Sequence, residues 1–149
     1  MTLVLVIDDD PAVRRALERV FLKHGHQVLL AADGEQGLRL WRERGADLVL
    51  LDIHMPGTNG IEVLVQLRGL SPRLPVIVMS GGDQTRDLDL LGDAELLGAS
   101  AVLSKPFTLD EVFSLMNRLC GGSIPSSAAG ADRVENFRGG APAKGSAGA

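Results

Sequence analysis

The stretch LVLVIDDDP, residues 3–11, places an unbroken aliphatic run directly before three carboxylates and a proline. A short apolar run without polar alternation is typical of a strand that is buried on both faces of a parallel sheet. Asp10 suits the cap of a helix that starts at Pro11, because its carboxylate can accept a hydrogen bond from a free backbone N–H. The stretch therefore predicts a buried strand that leads through an acidic turn into a helix.

Similar aliphatic runs recur through residue 120, each followed by a segment of helical period. Five such strand–helix units in one short chain predict an α/β fold, a doubly wound five-stranded parallel sheet covered by helices. Periodicity alone leaves the order of the strands open. The predicted strands are Leu3–Ile7, Val28–Ala31, Leu48–Leu51, Val76–Met79 and Ala101–Leu103.

The predicted helices are defined by apolar stripes and by end signals. Gly25 is a natural stop for the first helix. Thr108 and Glu111 have the spacing of a capping box for the last, and Phe107 can pack against Val112 beside it. The middle helices are predicted at about Gly34–Arg44, Asn59–Arg68 and Gln84–Leu97.

Composition limits both domain number and partner class. The 149 residues suit one domain with extra length, and a net charge of −4 argues against nucleic acid as a direct partner. The single Cys120 fits a reducing compartment, and no apolar run reaches the ~20 residues that span a bilayer. The start of the chain lacks the basic segment of a signal peptide. We therefore expect a cytoplasmic protein without membrane contact.

A change in composition near residue 121 predicts the domain boundary. Gly, Ala, Ser and Pro supply 20 of the 29 residues from 121 to 149. Such a segment buries too little apolar surface to offset the entropy of ordering it. We expect a domain at 1–120 and a disordered tail at 121–149, with at most a brief helical turn around Asp132–Phe137.

Polar side chains follow four of the five predicted strands. Asp8 and Asp9 follow the first, Asp52 the third, Ser80 the fourth and Lys105 the fifth. Each alone could be an ordinary turn, surface or strand-terminating residue. Together they lie at the carboxyl ends of parallel strands, where open α/β sheets form their sites.

Clustered carboxylates need a counter-charge. Two of them ~5 Å apart repel by roughly 3 kcal/mol at an effective dielectric near 20. Oxygen ligands completed by water and phosphate suit Mg²⁺. A carboxylate beside Mg²⁺ can attack phosphorus, while a lysine stabilises the phosphoryl oxygens. Asp10 is interpreted as a helix cap, the side chains of His24, His26 and His54 as structural or exposed, and Cys120 as inert.

The polar residues that follow the strands stand in four motifs that resemble the receiver domain of two-component response regulators. The resemblance extends from about Leu3 to Leu119, with the motifs in the family's order and near its usual spacing. The motifs are Val6–Asp10, Asp52–Gly60, Met79–Gly81 and Ser104–Phe107.

The resemblance implies a flavodoxin-like fold with strand order 2-1-3-4-5 and a residue-by-residue assignment of the site. Asp52 would be the phosphoacceptor. Asp8 and Asp9 would organise Mg²⁺, with Asp9 the more direct ligand, and Asp52 and the backbone carbonyl of His54 would be further ligands. Lys105 would contact the phosphoryl group.

The remaining assignments concern switching and partners. Ser80 would move toward the phosphoryl group on activation, and Pro106 would follow a cis peptide bond. The donor would be a sensor histidine kinase or a phosphotransfer protein, as in a phosphorelay. Signalling would use protein contacts at the face of the fourth helix, fifth strand and fifth helix (residues 84–119), where a phosphorylation-dependent dimer could also form.

Two departures from the family pattern concern switching. Val102 stands where receivers commonly carry Tyr or Phe, so a rotating aromatic ring is absent. Ser80 and Lys105 are 25 positions apart, slightly more than in compact receivers, with the extra length assigned to 81–89.

The domain is expected to be a phosphoacceptor and not an enzyme, apart from self-catalysed phosphorylation and dephosphorylation. One alternative is a degenerate receiver that binds partners without phosphorylation, which Val102 favours mildly. Another is a Mg²⁺-dependent aspartyl phosphohydrolase. Such enzymes place a second Asp two residues after the nucleophile, where this chain has His54.

Overall fold

Five aliphatic runs form one parallel sheet in the computed structural model, which describes residues 2–81 and 97–120. The sheet strands are β1 (Leu3–Ile7), β2 (Gln27–Ala31), β3 (Leu48–Asp52), β4 (Val76–Ser80) and β5 (Ala101–Ser104). The sheet order is β2-β1-β3-β4-β5, which confirms the order that the resemblance implied. A separate two-stranded ladder pairs His54–Met55 with Thr58–Asn59 directly after β3.

Local capping signals set where the helices begin. Asp10 accepts a hydrogen bond from the N–H of Ala12, which confirms its interpretation as a cap. Thr108 and Glu111 form the expected reciprocal box, with N–H to side-chain oxygen distances of 2.8 and 3.2 Å. The helices are α1 (Pro11–Lys23), α2 (Gly34–Arg44), α3 (Gly60–Leu70) and α4 (Leu109–Cys120).

Two predicted segments fall largely or wholly outside the described residues. The predicted helix Gln84–Leu97 lies almost entirely within 82–96, and the tail begins at 121. Leu97, the last residue of that predicted helix, lies in a turn and is exposed.

Alternate residues of the strands supply two hydrophobic cores, one on each face of the sheet. Val4, Val6 and Leu50 face α1 and α4, whereas Leu5 and Leu51 face α2 and α3. The prediction of strands buried on both faces holds for β1, β3 and β4, with the first residue of β1 half-buried. It is wrong for β2 and β5, which are mostly half-buried because each lies at an edge of the sheet. All five strands run in one direction, so their carboxyl ends meet at one edge.

Candidate functional site

Three carboxylates meet at the carboxyl ends of the neighbouring strands β1 and β3. Oxygens of Asp8, Asp9 and Asp52 all lie within 4.8 Å of one another. Asp8 is fully buried and Asp52 is 4% exposed, whereas Asp9 is exposed to solvent. The sheet brings together acids that are 44 positions apart, because β1 and β3 pair directly up to Ile7 and Leu51.

Lys105 reaches this cluster from the far edge strand. Its Nζ lies 2.7 Å from Oδ2 of Asp8 and 3.6 Å from Oδ2 of Asp52. The side chain is 7% exposed, so water screens these ion pairs weakly. The peptide bond from Lys105 to Pro106 is cis, as the resemblance implied.

Gly81 makes room for the lysine side chain. A Cβ at residue 81 would lie 2.7 Å from Cβ of Lys105, which is closer than two non-bonded carbon atoms can approach. The backbone N–H of Lys105 donates to the carbonyl oxygen of Ser80, which joins the ends of β4 and β5. Ser80 itself is 2% exposed at the end of β4, the strand next to Asp52.

Backbone contacts fix the orientation of Asp52. The N–H of His54 donates to Oδ1 of Asp52 at 3.1 Å, and the N–H of Ile53 donates to the carbonyl oxygen of Met79. The start of α3 packs against this turn, since a Cβ at Gly60 would lie 2.9 Å from the carbonyl oxygen of Asp52. Only glycine allows so close an approach, so the last residue of the Asp52–Gly60 motif has a steric role.

The pKa of Asp52 is raised mainly by burial. The pKa of Asp52 is raised to about 7: burial is the largest cause and Asp8 adds to the rise, whereas Lys105 and the N–H of His54 oppose it. When all are ionised, the three carboxylates and the single ammonium of Lys105 carry a net formal charge of −2. All the ligand atoms are oxygens, which suits Mg²⁺. The residues present therefore fit a bound divalent cation.

Other candidate residues lie away from this edge. His26 is buried at the start of β2, where its Nδ1 accepts a hydrogen bond from the N–H of Thr2 at 3.1 Å. Burial, followed by a contribution from Asp47, raises the pKa of the Cys120 thiol. A high thiol pKa disfavours the reactive thiolate, in agreement with the interpretation of Cys120 as inert.

Arg14 contacts the site although its sequence position did not indicate a role. Its Nη1 donates to the backbone carbonyl oxygen of Asp8 at 2.6 Å. The sequence offers one general indication: the carbonyl oxygen at the end of a buried strand needs a hydrogen-bond donor. Identifying Arg14 as that donor required the packing of α1 onto the sheet.

Among the described residues, the helices lack the length and apolar character needed to cross a membrane.

Comparison with known proteins identifies related sequences. The family model described as "Response regulator receiver domain" matches residues 4–117. The response regulator MprA of Mycolicibacterium vanbaalenii is 37% identical over 134 residues, which cover 90% of this chain and 57% of that protein. The sporulation initiation phosphotransferase F of Bacillus subtilis is 37% identical over 109 residues, 73% of this chain and 86% of that protein. The chain thus spans little more than half the length of MprA.

Solved structures agree with the fold. A response regulator receiver domain protein from Clostridium thermocellum superposes with a TM-score of 0.75 at 29% identity, over 80% of this chain and 94% of that one. The response regulator TrrA from Thermotoga maritima, solved in complex with Mg(2+)-BeF, gives a TM-score of 0.69 at 29% identity, over 80% and 99%.

Proposed function

The chain belongs to the response regulator receiver domain family, and from that premise we propose that Asp52 is its phosphoacceptor. One observation carries the assignment: Asp52 is the carboxylate that lies among Asp8, Asp9 and Lys105 at the carboxyl edge of the sheet. Asp8 is less suited to accept a phosphoryl group, because its Oδ2 already pairs with Lys105 at 2.7 Å.

The proposed reaction moves one phosphoryl group from a phosphohistidine to Asp52. An Asp52 carboxylate oxygen attacks phosphorus, the N–P bond breaks, and the electron pair of that bond returns to the imidazole of the donor. The product is an acyl phosphate on Asp52. Lys105, 3.6 Å from the carboxylate oxygen, is placed to stabilise the charge on the phosphoryl oxygens.

Mg²⁺ is the proposed cofactor, held by Asp8, Asp9, Asp52 and the backbone carbonyl of His54. When bound, it would neutralise charge on the acids and on the phosphoryl oxygens. Two observations support this assignment: the carboxylate oxygens lie within 4.8 Å of one another, and the cluster carries an excess of negative charge. Asp9 is the acid with the most freedom to bind the cation directly, since Asp8 is buried and paired with Lys105.

Ser80 is the proposed switch residue, and its movement is transmitted without an aromatic ring in β5. Val102 is half-buried and packs against the core on the α2–α3 face of the sheet. A small aliphatic side chain there leaves no ring to rotate when Ser80 moves. Chemical shift changes concentrated in β5 on phosphorylation would contradict this routing.

The proposed partners follow from the family and from the relatives. A sensor histidine kinase or a phosphotransfer protein donates the phosphoryl group, and a downstream protein binds the face of residues 84–119. We propose the same face for a phosphorylation-dependent dimer. We also propose that residues 1–120 form the domain and that residues 121–149 form a separate tail. The proposed location is the cytoplasm. The proposed chemistry is limited to self-catalysed phosphorylation and dephosphorylation.

Titration with beryllofluoride, a phosphoryl mimic, tests the proposed function. We expect saturable backbone amide shifts around Asp52, Ser80 and Lys105 that require both Mg²⁺ and an intact Asp52. An Asp52→Asn variant with the same spectrum in the absence of ligand provides the control. A folded wild-type protein that does not respond would exclude the phosphoacceptor and favour a receiver that binds partners without phosphorylation.

A further inference from the structure

The carbonyl of Asp8 has an unusual partner for a residue at the end of a buried strand. Asp8 is fully buried, and its carbonyl oxygen accepts a hydrogen bond from Nη1 of Arg14, on the second turn of α1, at 2.6 Å. A buried backbone oxygen without a donor is destabilising, and a guanidinium donor makes a stronger bond than a neutral one. Arg14 therefore secures the connection between β1 and α1.

Four different groups hold the four polar parts of Asp8. Its N–H donates to the carbonyl oxygen of Ala31 at 3.0 Å, and its Oδ1 accepts from the N–H of Asp10 at 2.9 Å. Its Oδ2 accepts from Lys105 at 2.7 Å, and its carbonyl oxygen accepts from Arg14. Of these contacts, the one from Arg14 acts on the peptide group that joins Asp8 to Asp9.

That peptide group sets the direction of the exposed acid. Because a peptide bond is planar, fixing the carbonyl of Asp8 also fixes the N–H and Cα of Asp9. Asp10, on the other side, is held at the start of α1 by its hydrogen bond from Ala12. The backbone of Asp9 is thus held on both sides, although its side chain is exposed.

We propose that Arg14 is a positioning residue for divalent-cation binding, which acts by presenting the Asp9 carboxylate beside Asp8 and Asp52. This inference rests on the proposed function. It extends that function to a residue on α1 that offers the cation no ligand atom.

A positioning role and a purely electrostatic effect predict opposite changes in cation affinity when Arg14 is replaced. An arginine repels a nearby cation, so removing its charge should tighten binding if electrostatics alone operates. Losing the hydrogen bond should weaken binding, because outer-shell partners of metal ligands typically contribute about 10–100-fold in affinity. The sign of the change therefore separates the two explanations.

The test is an Mg²⁺ titration of the full chain, in which NMR monitors the backbone amide signals of Asp9, Asp10 and His54. We expect Arg14→Met to raise the dissociation constant about tenfold. Arg14→Lys should weaken binding less, because an ammonium keeps the charge and can still donate a single hydrogen bond. Arg15→Met removes the same charge from the exposed neighbouring position and should leave binding unchanged or slightly tighter.

Several outcomes would overturn the inference. Equal or tighter binding in a folded Arg14→Met variant would assign Arg14 to stability or bulk charge. Equal weakening in Arg14→Met and Arg15→Met would show that the loss does not depend on the hydrogen bond from Arg14 to Asp8, and would also overturn the inference. If Arg14→Met does not fold, Arg14→Gln, which removes the guanidinium but keeps a polar side chain of good helix propensity, is titrated instead, and wild-type affinity in that variant would refute the positioning role. Absence of Mg²⁺ binding in the wild-type protein would instead refute the proposed function, and this inference with it.

Discussion

At the edge of the sheet where the strands begin, charged and polar side chains contact neutral backbone groups. Arg68 donates to the carbonyl oxygens of Gly98, Ser71 and Leu74. Asp47 accepts from the N–H of Leu3 at 2.9 Å. At the opposite edge, where the strands end, Asp8, Asp9 and Asp52 instead face one another with Lys105 among them.

The difference separates stability from reactivity within one sheet. At the starting edge Arg68 and Asp47 find neutral acceptors and donors, so these hydrogen bonds close the fold without any ligand. At the finishing edge the acids and Lys105 leave a formal charge of −2, and burial raises the pKa of Asp52 to about 7. The excess of negative charge at this edge favours the binding of a cation. Four variants test the contrast, from the largest expected effect to the smallest.

Asp52→Asn should abolish covalent phosphorylation and leave the fold intact, because the amide is isosteric but is not a nucleophile for phosphorus. The measurement is intact-mass spectrometry after incubation with a small-molecule phosphodonor and Mg²⁺. Asp47→Asn, the same substitution at the starting edge, should still be phosphorylated. Phosphorylation retained by Asp52→Asn would place the acceptor elsewhere.

Lys105→Met should slow phosphorylation by about 100-fold, the typical effect of removing one group that stabilises transition-state charge. Mg²⁺ affinity should rise, because loss of the ammonium changes the formal charge of the cluster from −2 to −3. The rate with a small-molecule donor and the Mg²⁺ dissociation constant are measured separately. Lys23→Met, at the exposed end of α1, is the control. Weaker Mg²⁺ binding in Lys105→Met would contradict the view that excess negative charge drives cation binding.

Arg68→Met should lower the free energy of unfolding by about 2–3 kcal/mol, because it leaves several backbone acceptors without their charged donor. Lysine should not restore the loss, since one ammonium cannot replace a guanidinium that contacts Gly98, Leu74 and Ser100 together. Urea unfolding measures the change, with Arg73→Met in the exposed turn after α3 as the control. Phosphorylation of the folded variant should remain. Unchanged stability would contradict the stabilising role of the starting edge. Loss of phosphorylation in the folded protein would contradict the assignment of phosphorylation to the opposite edge alone.

His26 should make stability depend on pH. Burial is the main cause that lowers the pKa of His26 below its usual 6.5, so near and below that value the unfolded chain binds more protons than the folded one. Its contribution to stability is therefore complete above pH 6.5 and is lost as the pH falls.

His26→Asn supplies the comparison for this pH dependence. Asparagine keeps an acceptor near the Nδ1 position that binds the N–H of Thr2, and it does not titrate. Between pH 7.5 and 5.5, the wild-type protein should lose more stability than the variant, because only the wild-type chain carries a histidine whose pKa is lowered on folding. Parallel pH profiles would show that His26 is not the titrating group.

Sequence alone was sufficient wherever the determining contacts are local. The aliphatic run 3–7 became β1 at its predicted bounds, and the cap at Asp10 and the box at Thr108 and Glu111 formed as predicted. The residue types of the candidate site were readable too, because parallel strands deliver the residues that follow them to one edge. The strand order came from the resemblance, since periodicity within a strand carries no information about its neighbour.

Only the tertiary structure decided which partner each charge takes. Lys105 lies closer to Asp8, 97 positions away, than to Asp52, and Arg14 holds the backbone of Asp8 from α1. Arg68 and Gly98 meet across 30 positions at the other edge. Capping and periodicity are encoded within a few residues along the chain. Ion pairs between distant strands depend instead on the relative placement of whole elements, which the packing of the two cores against the sheet determines.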